Sequence, residues 1–265
     1  HAGLMVGTLF ANKYTANLYD GYGYDINSVK NDFANSWMYR KIIIEYGGGN
    51  GQPDRIAQSL NVNHPDWSFS ESDMPVNVRY NLALMVGAQT RYCFNNRDAI
   101  ILNVNASKLT VSGDFTLTLT TPNINPTTPG YINYKTFSII GAEQRLMFQL
   151  GYQRILGEEE NPLNVFVEGG AVVSMAKFDK NQIIINSLQI ELTTFYNNIG
   201  YVTYRAKNLT GVGFGAFAGL GINLNATAKW TLQLLYNPSY ENIKIGADPK
   251  LTLQHVAGLR AYYNL

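Results

Sequence analysis

The amino-acid sequence predicts an all-β fold: one domain over residues 1–265, a transmembrane antiparallel up-and-down β-barrel of about eight strands. Its extracellular loops are long, and the first, 15–77, is partly helical. Three observations carry this prediction. Apolar residues recur with period two, not 3.6, in one segment after another. Only 15% of residues are charged, against roughly 25% in an ordinary soluble domain, while the chain holds 24 Gly and 18 Tyr; such a surface suits acyl chains better than water. Short and long connections alternate along the chain, as they must when every second strand returns through a membrane.

The opening strand covers about 3–14. In the second, 80–94, Tyr80, Leu82, Leu84, Val86, Ala88, Tyr92 and Phe94 share one face, and small or polar residues share the other. After the turn at 95–98, Ile100, Leu102, Val104 and Ala106 alternate with Ile101, Asn103, Asn105 and Ser107. The strand 134–156 sets Leu146, Phe148, Leu150 and Tyr152 against Glu143, Arg145, Gln149 and Gln153. The turn 157–162 leads to 163–178, where Leu163, Val165, Val167, Ala171, Val173 and Met175 oppose Glu168, Gly170 and Ser174. Strands at about 208–224, 228–243 and 250–265 complete the set, the last two on either side of the connection 244–249.

The sixth strand contains GVGFGAFAGLGINL (211–224), which matches the G-x-G-x-x-G/A pattern of dinucleotide-binding loops. That fingerprint requires a turn from strand into helix. Here Asn223–Ala228 runs straight into another alternating strand, so the glycines form one strand face, turned toward the lumen. Eight strands enclose an interior just wide enough for side chains. A bare strip therefore makes room for long residues of the opposite wall or for a loop folded inward. The charged residues of the polar phase are Arg79, Arg91, Glu143, Arg145, Glu168 and Arg260. Inside a membrane such charges must pair. They are expected to form an ion-pair network that plugs the barrel.

The first loop is too long for a structureless connector. A helix is expected from an N-cap at Asn27–Ser28, with Val29, Phe33 and Trp37 on one face and Gly47–Gly51 ending it; a second is expected to start at Pro53 with Ile56 and Leu60 together. Val29, Phe33, Trp37, Tyr39, Ile43 and Trp67 supply apolar surface outside the membrane, either as a lid over the barrel mouth or as a docking surface for a partner. Segments 114–120 and 181–195 also alternate and read as strands projecting beyond the membrane, whose open edges invite a partner strand.

The balance of 20 basic and 19 acidic residues gives no field for nucleic acid. No run of about 18 apolar residues forms a transmembrane helix. Cys93, the single cysteine, excludes an internal disulfide and is expected to be buried. No His or carboxylate spacing suggests a metal, and no cofactor is implied. His64, in Asn63-His64-Pro65-Asp66 near Ser59, Ser68, Ser70 and Ser72, permits only a weak Ser-His-Asp hypothesis.

The eight alternating segments and their connections resemble the small eight-stranded outer-membrane barrels of Gram-negative bacteria, the OmpA-domain and OmpX group. The resemblance covers about half the chain and departs at the last residue, Leu265, where such barrels usually carry an aromatic. It implies location in the bacterial outer membrane with the export signal already removed, contact with outer-membrane lipid, and a non-enzymatic barrel with a plugged lumen. The expected role is binding of another outer-membrane or surface protein, as an accessory subunit of an export or uptake assembly, by analogy with type IX secretion. A narrow channel for small solutes and a surface lipid or peptide hydrolase are the alternatives.

Overall fold

A computed structural model describes the chain except residues 26, 28, 46–50, 121–131, 158–160, 197–202, 206–209, 246–249 and 265. Eight strands form a closed ring: β1 (Ala2–Phe10), β2 (Ala83–Cys93), β3 (Asp98–Thr120), β4 (Ile132–Leu156), β5 (Leu163–Ile185), β6 (Thr210–Asn225), β7 (Trp230–Asn242) and β8 (Leu251–Tyr263). Each pairs antiparallel with its chain neighbours, β8 closes on β1, and sequence order is spatial order all the way round. Following the ladder once round from Ser174 returns to β5 at Asn164, ten residues along. With ordinary strand spacing and rise, that stagger tilts the strands by about 40°.

Leucine, valine and aromatic side chains of the apolar phase face outward, among them Leu4, Leu84, Leu150, Phe214, Leu232 and Leu259. Trp230 and Tyr263 stack edge to face at the short-turn end, as do Tyr92 and Phe94. Tyr240 marks the other end of β7. Ten residues of tilted strand separate Trp230 from Tyr240, about 25 Å along the barrel axis, which is the height of a hydrocarbon band. The molecule is a transmembrane barrel of the outer-membrane type.

Three strands continue far past that band, β3, β4 and β5 having 23, 25 and 23 residues against the 9–11 that a crossing needs. The switch is legible on β3. Its outward residues are Ile100, Leu102, Val104 and Ala106, then Lys108, Thr110, Ser112 and Asp114. Its buried residues change in the opposite sense, from Asn103, Asn105 and Ser107 to Leu109, Val111, Phe115, Leu117 and Leu119. Within the membrane the polar face looks inward; beyond it the apolar face does. Period two is conserved throughout, and the environment of each face is exchanged.

The projecting sheet packs its apolar face on the first loop. Phe115, Leu117, Leu119, Ile139, Ile183 and Ile185 meet Trp37, Met38, Ile42, Ile56, Leu60, Trp67, Phe69 and Met74 in one core. The sheet edges are covered in part by the same chain: Trp67–Ser68 and Val76–Tyr80 pair with β3, and Leu188–Glu191 folds back on β5 through Asn186, which has φ 52°. Part of each edge expected to be open is therefore paired within the chain, and Leu188–Glu191 becomes the outer strand on the β5 side.

Local chemistry corrects the first-loop prediction. No helix runs from Val29 through Phe33. Asp25 Oδ1 instead accepts from the Asn27 and Val29 amides at 2.9 and 2.8 Å, Asn31 N donates to the Gly23 carbonyl, and Val29 is left exposed. An aspartate offering this turn competes with helix. A Cβ on Gly23, at φ +68°, would lie 2.0 Å from the Trp37 ring, so this loop is folded onto Trp37. Helix α1 (Trp37–Tyr39) begins only after Ser36, whose Oγ accepts from Tyr39 N at 3.1 Å, and continues as a wider turn over Arg40–Ile44. The expected N-cap residue Ser28 and the stopping glycines 47–49 lie outside the described residues, and Gly51 is the N-cap of the next helix. Helix α2 (Gln52–Leu60) forms as expected, with Pro53 near its start, Ile56 and Leu60 buried together, and Asn61 in the left-handed conformation at its end.

Candidate functional site: a plugged lumen beneath a folded ectodomain

Two ion-pair clusters occupy the lumen at different heights, with Asn103, Gln149 and Asn237 hydrogen-bonded between them. In the cluster nearer the short turns, Arg260 grips Glu168 with two bonds, NH1 to Oε2 at 2.6 Å and NH2 to Oε1 at 2.8 Å. Asn237 Nδ2 and Gln153 Nε2 also donate to that carboxylate, at 2.7 and 3.1 Å. Arg91 NH1 reaches Gln153 Oε1 at 3.3 Å, and its guanidinium lies 4.8 Å from the centre of the Tyr262 ring. A Cβ on Gly219 would stand 2.7 Å from Glu168 Cγ, which explains why the strip on β6 is bare at that height. The strip is interrupted once: Phe217 shares the glycine phase and is buried in an apolar lumen cluster with Met5, Met85, Met147, Phe166 and Leu235.

The cluster nearer the long loops is built around Glu143 and Arg145. Arg145 Nε donates to Glu143 Oε1 at 2.6 Å, NH2 donates to Thr15 Oγ1 at 3.0 Å, and NH1 donates to Gln254 Oε1 at 3.4 Å. Tyr19 Oη and Tyr80 Oη both donate to Glu143 Oε2, at 2.9 and 3.0 Å. Thr15 and Tyr19 belong to a 3₁₀ segment, Lys13–Tyr19, which follows β1 and turns into the barrel mouth. Strand β1 ends at Phe10, not at 14, because Asn12 Oδ1 accepts from Tyr14 N and caps this turn. Gly141 leaves the space for the Tyr19 ring: a Cβ there would be 2.1 Å from Tyr19 Cδ1. The inward segment is thus a plug hydrogen-bonded to the lumen.

Of the six charged residues expected in the lumen, five are there. Arg79 is not; it is exposed on Val76–Tyr80. Between Tyr80 and Met85 the chain advances five residues while its β3 partners, Val111 to Ser107, advance four. The extra residue at Asn81–Leu82 reverses the phase. Tyr80, expected to face lipid, is turned inward to Glu143 instead. Sequence reading also missed Glu241, buried on β7, where Ser239 Oγ donates to it at 3.1 Å and Ser174 Oγ donates to its other oxygen. Its position opposite the apolar phase of β7 was the available signal. With it, three arginines and three glutamates balance inside the barrel among the described residues.

The candidate docking residues divide differently. Trp37 and Trp67 are each 6% exposed in the ectodomain core, and Phe33, Tyr39 and Ile43 pack partly buried against it. Trp37 and Trp67 hold the ectodomain together and present no free surface, which corrects the docking expectation for them, whereas Phe33, Tyr39 and Ile43 stay partly exposed and Val29 is 61% exposed. Among the described residues at this end, Ile132 and Tyr134 on the outward face of β4 also stand exposed, as do Ile44 and Val76. His64 Nδ1 lies 3.5 Å from Asp54 Oδ1, but the nearby hydroxyls serve the fold: Ser59 donates to the Ile185 carbonyl, and Ser70 closes a capping box with Asp73. Cys93 is exposed, contrary to expectation, because β2 ends at the open short-turn mouth. It lines a cavity of about 340 Å³ there with Asn95, Ile155, Asn225 and Thr231, floored by Arg91 and Gln153. No group of three metal-ligating side chains occurs among the described residues.

No family model and no curated protein matches the sequence. Among solved structures, Neisserial surface protein A is similar at 9% identity and a TM-score of 0.38, over 71% of this chain and 91% of that one. LpxR from Salmonella typhimurium is similar at 9% identity and a TM-score of 0.23, over 99% and 100%.

Proposed function

We propose that the protein is a sealed barrel of the outer membrane that acts by binding, with the barrel as anchor and the ectodomain as the part that meets a partner. One observation carries this reading. The chain spends more than half of β3 outside the membrane and reverses the polarity of its faces there, building a second core on top of a lumen already closed by ion pairs and a plug. A barrel that served only to conduct would have no use for that core. The partner is another outer-membrane or surface protein, and the role is accessory to a larger export or uptake assembly. The contact falls on the ectodomain surface around Val29, Ile132 and Tyr134.

Co-purification from native membranes in mild detergent tests the reading. Substituting Val29, Ile132 and Tyr134 together by Asp should release the partner while the protein keeps its heat-dependent gel mobility. Undiminished association would count against it. A narrow channel is the second reading, favoured by the cavity at the short-turn mouth. Planar-bilayer recording separates the two, since the sealed barrel gives no conductance steps.

A further inference from the structure

The outward face of β3–β6 changes from apolar to polar along one register row. Lys108, Gln144, Lys177 and Thr210 are direct neighbours across four adjacent strands, and all four are exposed. The row immediately beneath is Ala106, Leu146, Met175 and Val212, and Phe148 and Phe214 stand in the next. The two ammonium groups therefore spring from strands two apart, about 9–10 Å, with an amide and a hydroxyl in the same row, directly above an apolar wall.

Lys177 has no ion pair among the described residues, whereas Lys108 is 3.3 Å from Asp179, two residues past Lys177 on β5. Lys180 follows on β5. On the opposite wall, β8, β1 and β2 carry no lysine within their strands, and Lys13 and Lys250 lie just beyond the ends of β1 and β8.

We propose that this row is a binding site for the phosphate of an anionic lipid, seated with its acyl chains on the apolar rows below and its headgroup between Lys108 and Lys177. Charge complementarity selects an anion. The wall beneath selects a lipid over free phosphate, because only a lipid has chains to cover it. The site needs the barrel alone and does not depend on the ectodomain having a partner.

The test is native mass spectrometry of the detergent-solubilised full chain, titrated with phosphatidylglycerol and, separately, with phosphatidylcholine. A lysine beside an anionic headgroup region contributes on the order of a fivefold change in affinity. Lys108→Gln or Lys177→Gln should therefore weaken phosphatidylglycerol binding about fivefold, and the pair about 25-fold, with phosphatidylcholine unaffected. Lys→Arg at both positions should retain binding, and Asp179→Asn should tighten it by removing a competing carboxylate. The side chains are exposed, so heat-dependent gel mobility confirms each variant folds. Unchanged affinity in the double Gln variant would overturn the proposal. So would an equal loss from Lys13→Gln with Lys250→Gln, or displacement of the lipid by excess inorganic phosphate.

Discussion

Replacing Glu168 by Gln removes one charge from a fully buried pair and leaves the other in place. Glu168 accepts four hydrogen bonds, two of them from Arg260 at 2.6 and 2.8 Å. Glutamine keeps one acceptor oxygen but turns an NH₂ group toward donors that need an acceptor. Arg260 then stays buried without its counter-charge. Breaking a buried pair from one side costs about 3–5 kcal/mol, and a hydrogen bond to a charged group contributes about 1.5–3 kcal/mol. The expected loss is thus about 4 kcal/mol, a large share of an ordinary domain's stability. Urea unfolding of protein refolded into phospholipid vesicles, followed by tryptophan fluorescence, measures it. The double variant Glu168→Leu with Arg260→Met removes both charges and should fall within about 2 kcal/mol of wild type, because burying the pair carries a desolvation cost that partly offsets its attraction. A loss below about 1 kcal/mol in Glu168→Gln, or a double variant as unstable as the two single ones added together, would refute the paired-lumen account.

The plug makes a separate prediction: Gly141→Leu has no room beside Tyr19 and should expel Lys13–Tyr19, seen as new protease cleavage within that segment, while the Arg260–Glu168 cluster below keeps the barrel closed to ions in planar bilayers. Trp67→Ala should cost the ectodomain about 3–5 kcal/mol while leaving heat-dependent gel mobility intact, whereas Arg79→Ala, on an exposed side chain, should stay within about 0.5 kcal/mol of wild type; thermal unfolding in detergent distinguishes them. Burial holds the Asp20 carboxyl above its usual range, although Lys30 pulls it the other way at 2.5 Å. Its folded pKa being raised, Asp20 contributes stability that is present in full below the ordinary carboxylate pKa and is lost as pH rises through the folded value. Hydrogen exchange at residues 20–25 should therefore show no loss of protection through Asp20 on acidification from pH 7, and Asp20→Asn should raise protection at pH 7.

Period two, the strict alternation of short and long connections and the scarcity of charge determined a closed antiparallel barrel before any coordinates, because a β-strand's side chains must alternate whatever surrounds it. They placed Glu143, Arg145, Glu168, Arg260 and Arg91 in the lumen by phase alone. The second helix was legible for a similar reason: Pro53, Ile56 and Leu60 carry their message within one short stretch.

Only the tertiary structure decided which environment each face meets. Lys108 and Leu109 continue the same alternation as Val104 and Asn105, yet the faces exchange roles there, since a ladder of strands says nothing about where the hydrocarbon ends. One extra residue at Asn81–Leu82 sent Tyr80 inward and Arg79 outward, and a bulge leaves no mark on composition. Trp37 and Trp67, which look like a sticky surface when met along the chain, are interior because Phe115, Ile139 and Ile183 arrive from strands far away in sequence to cover them.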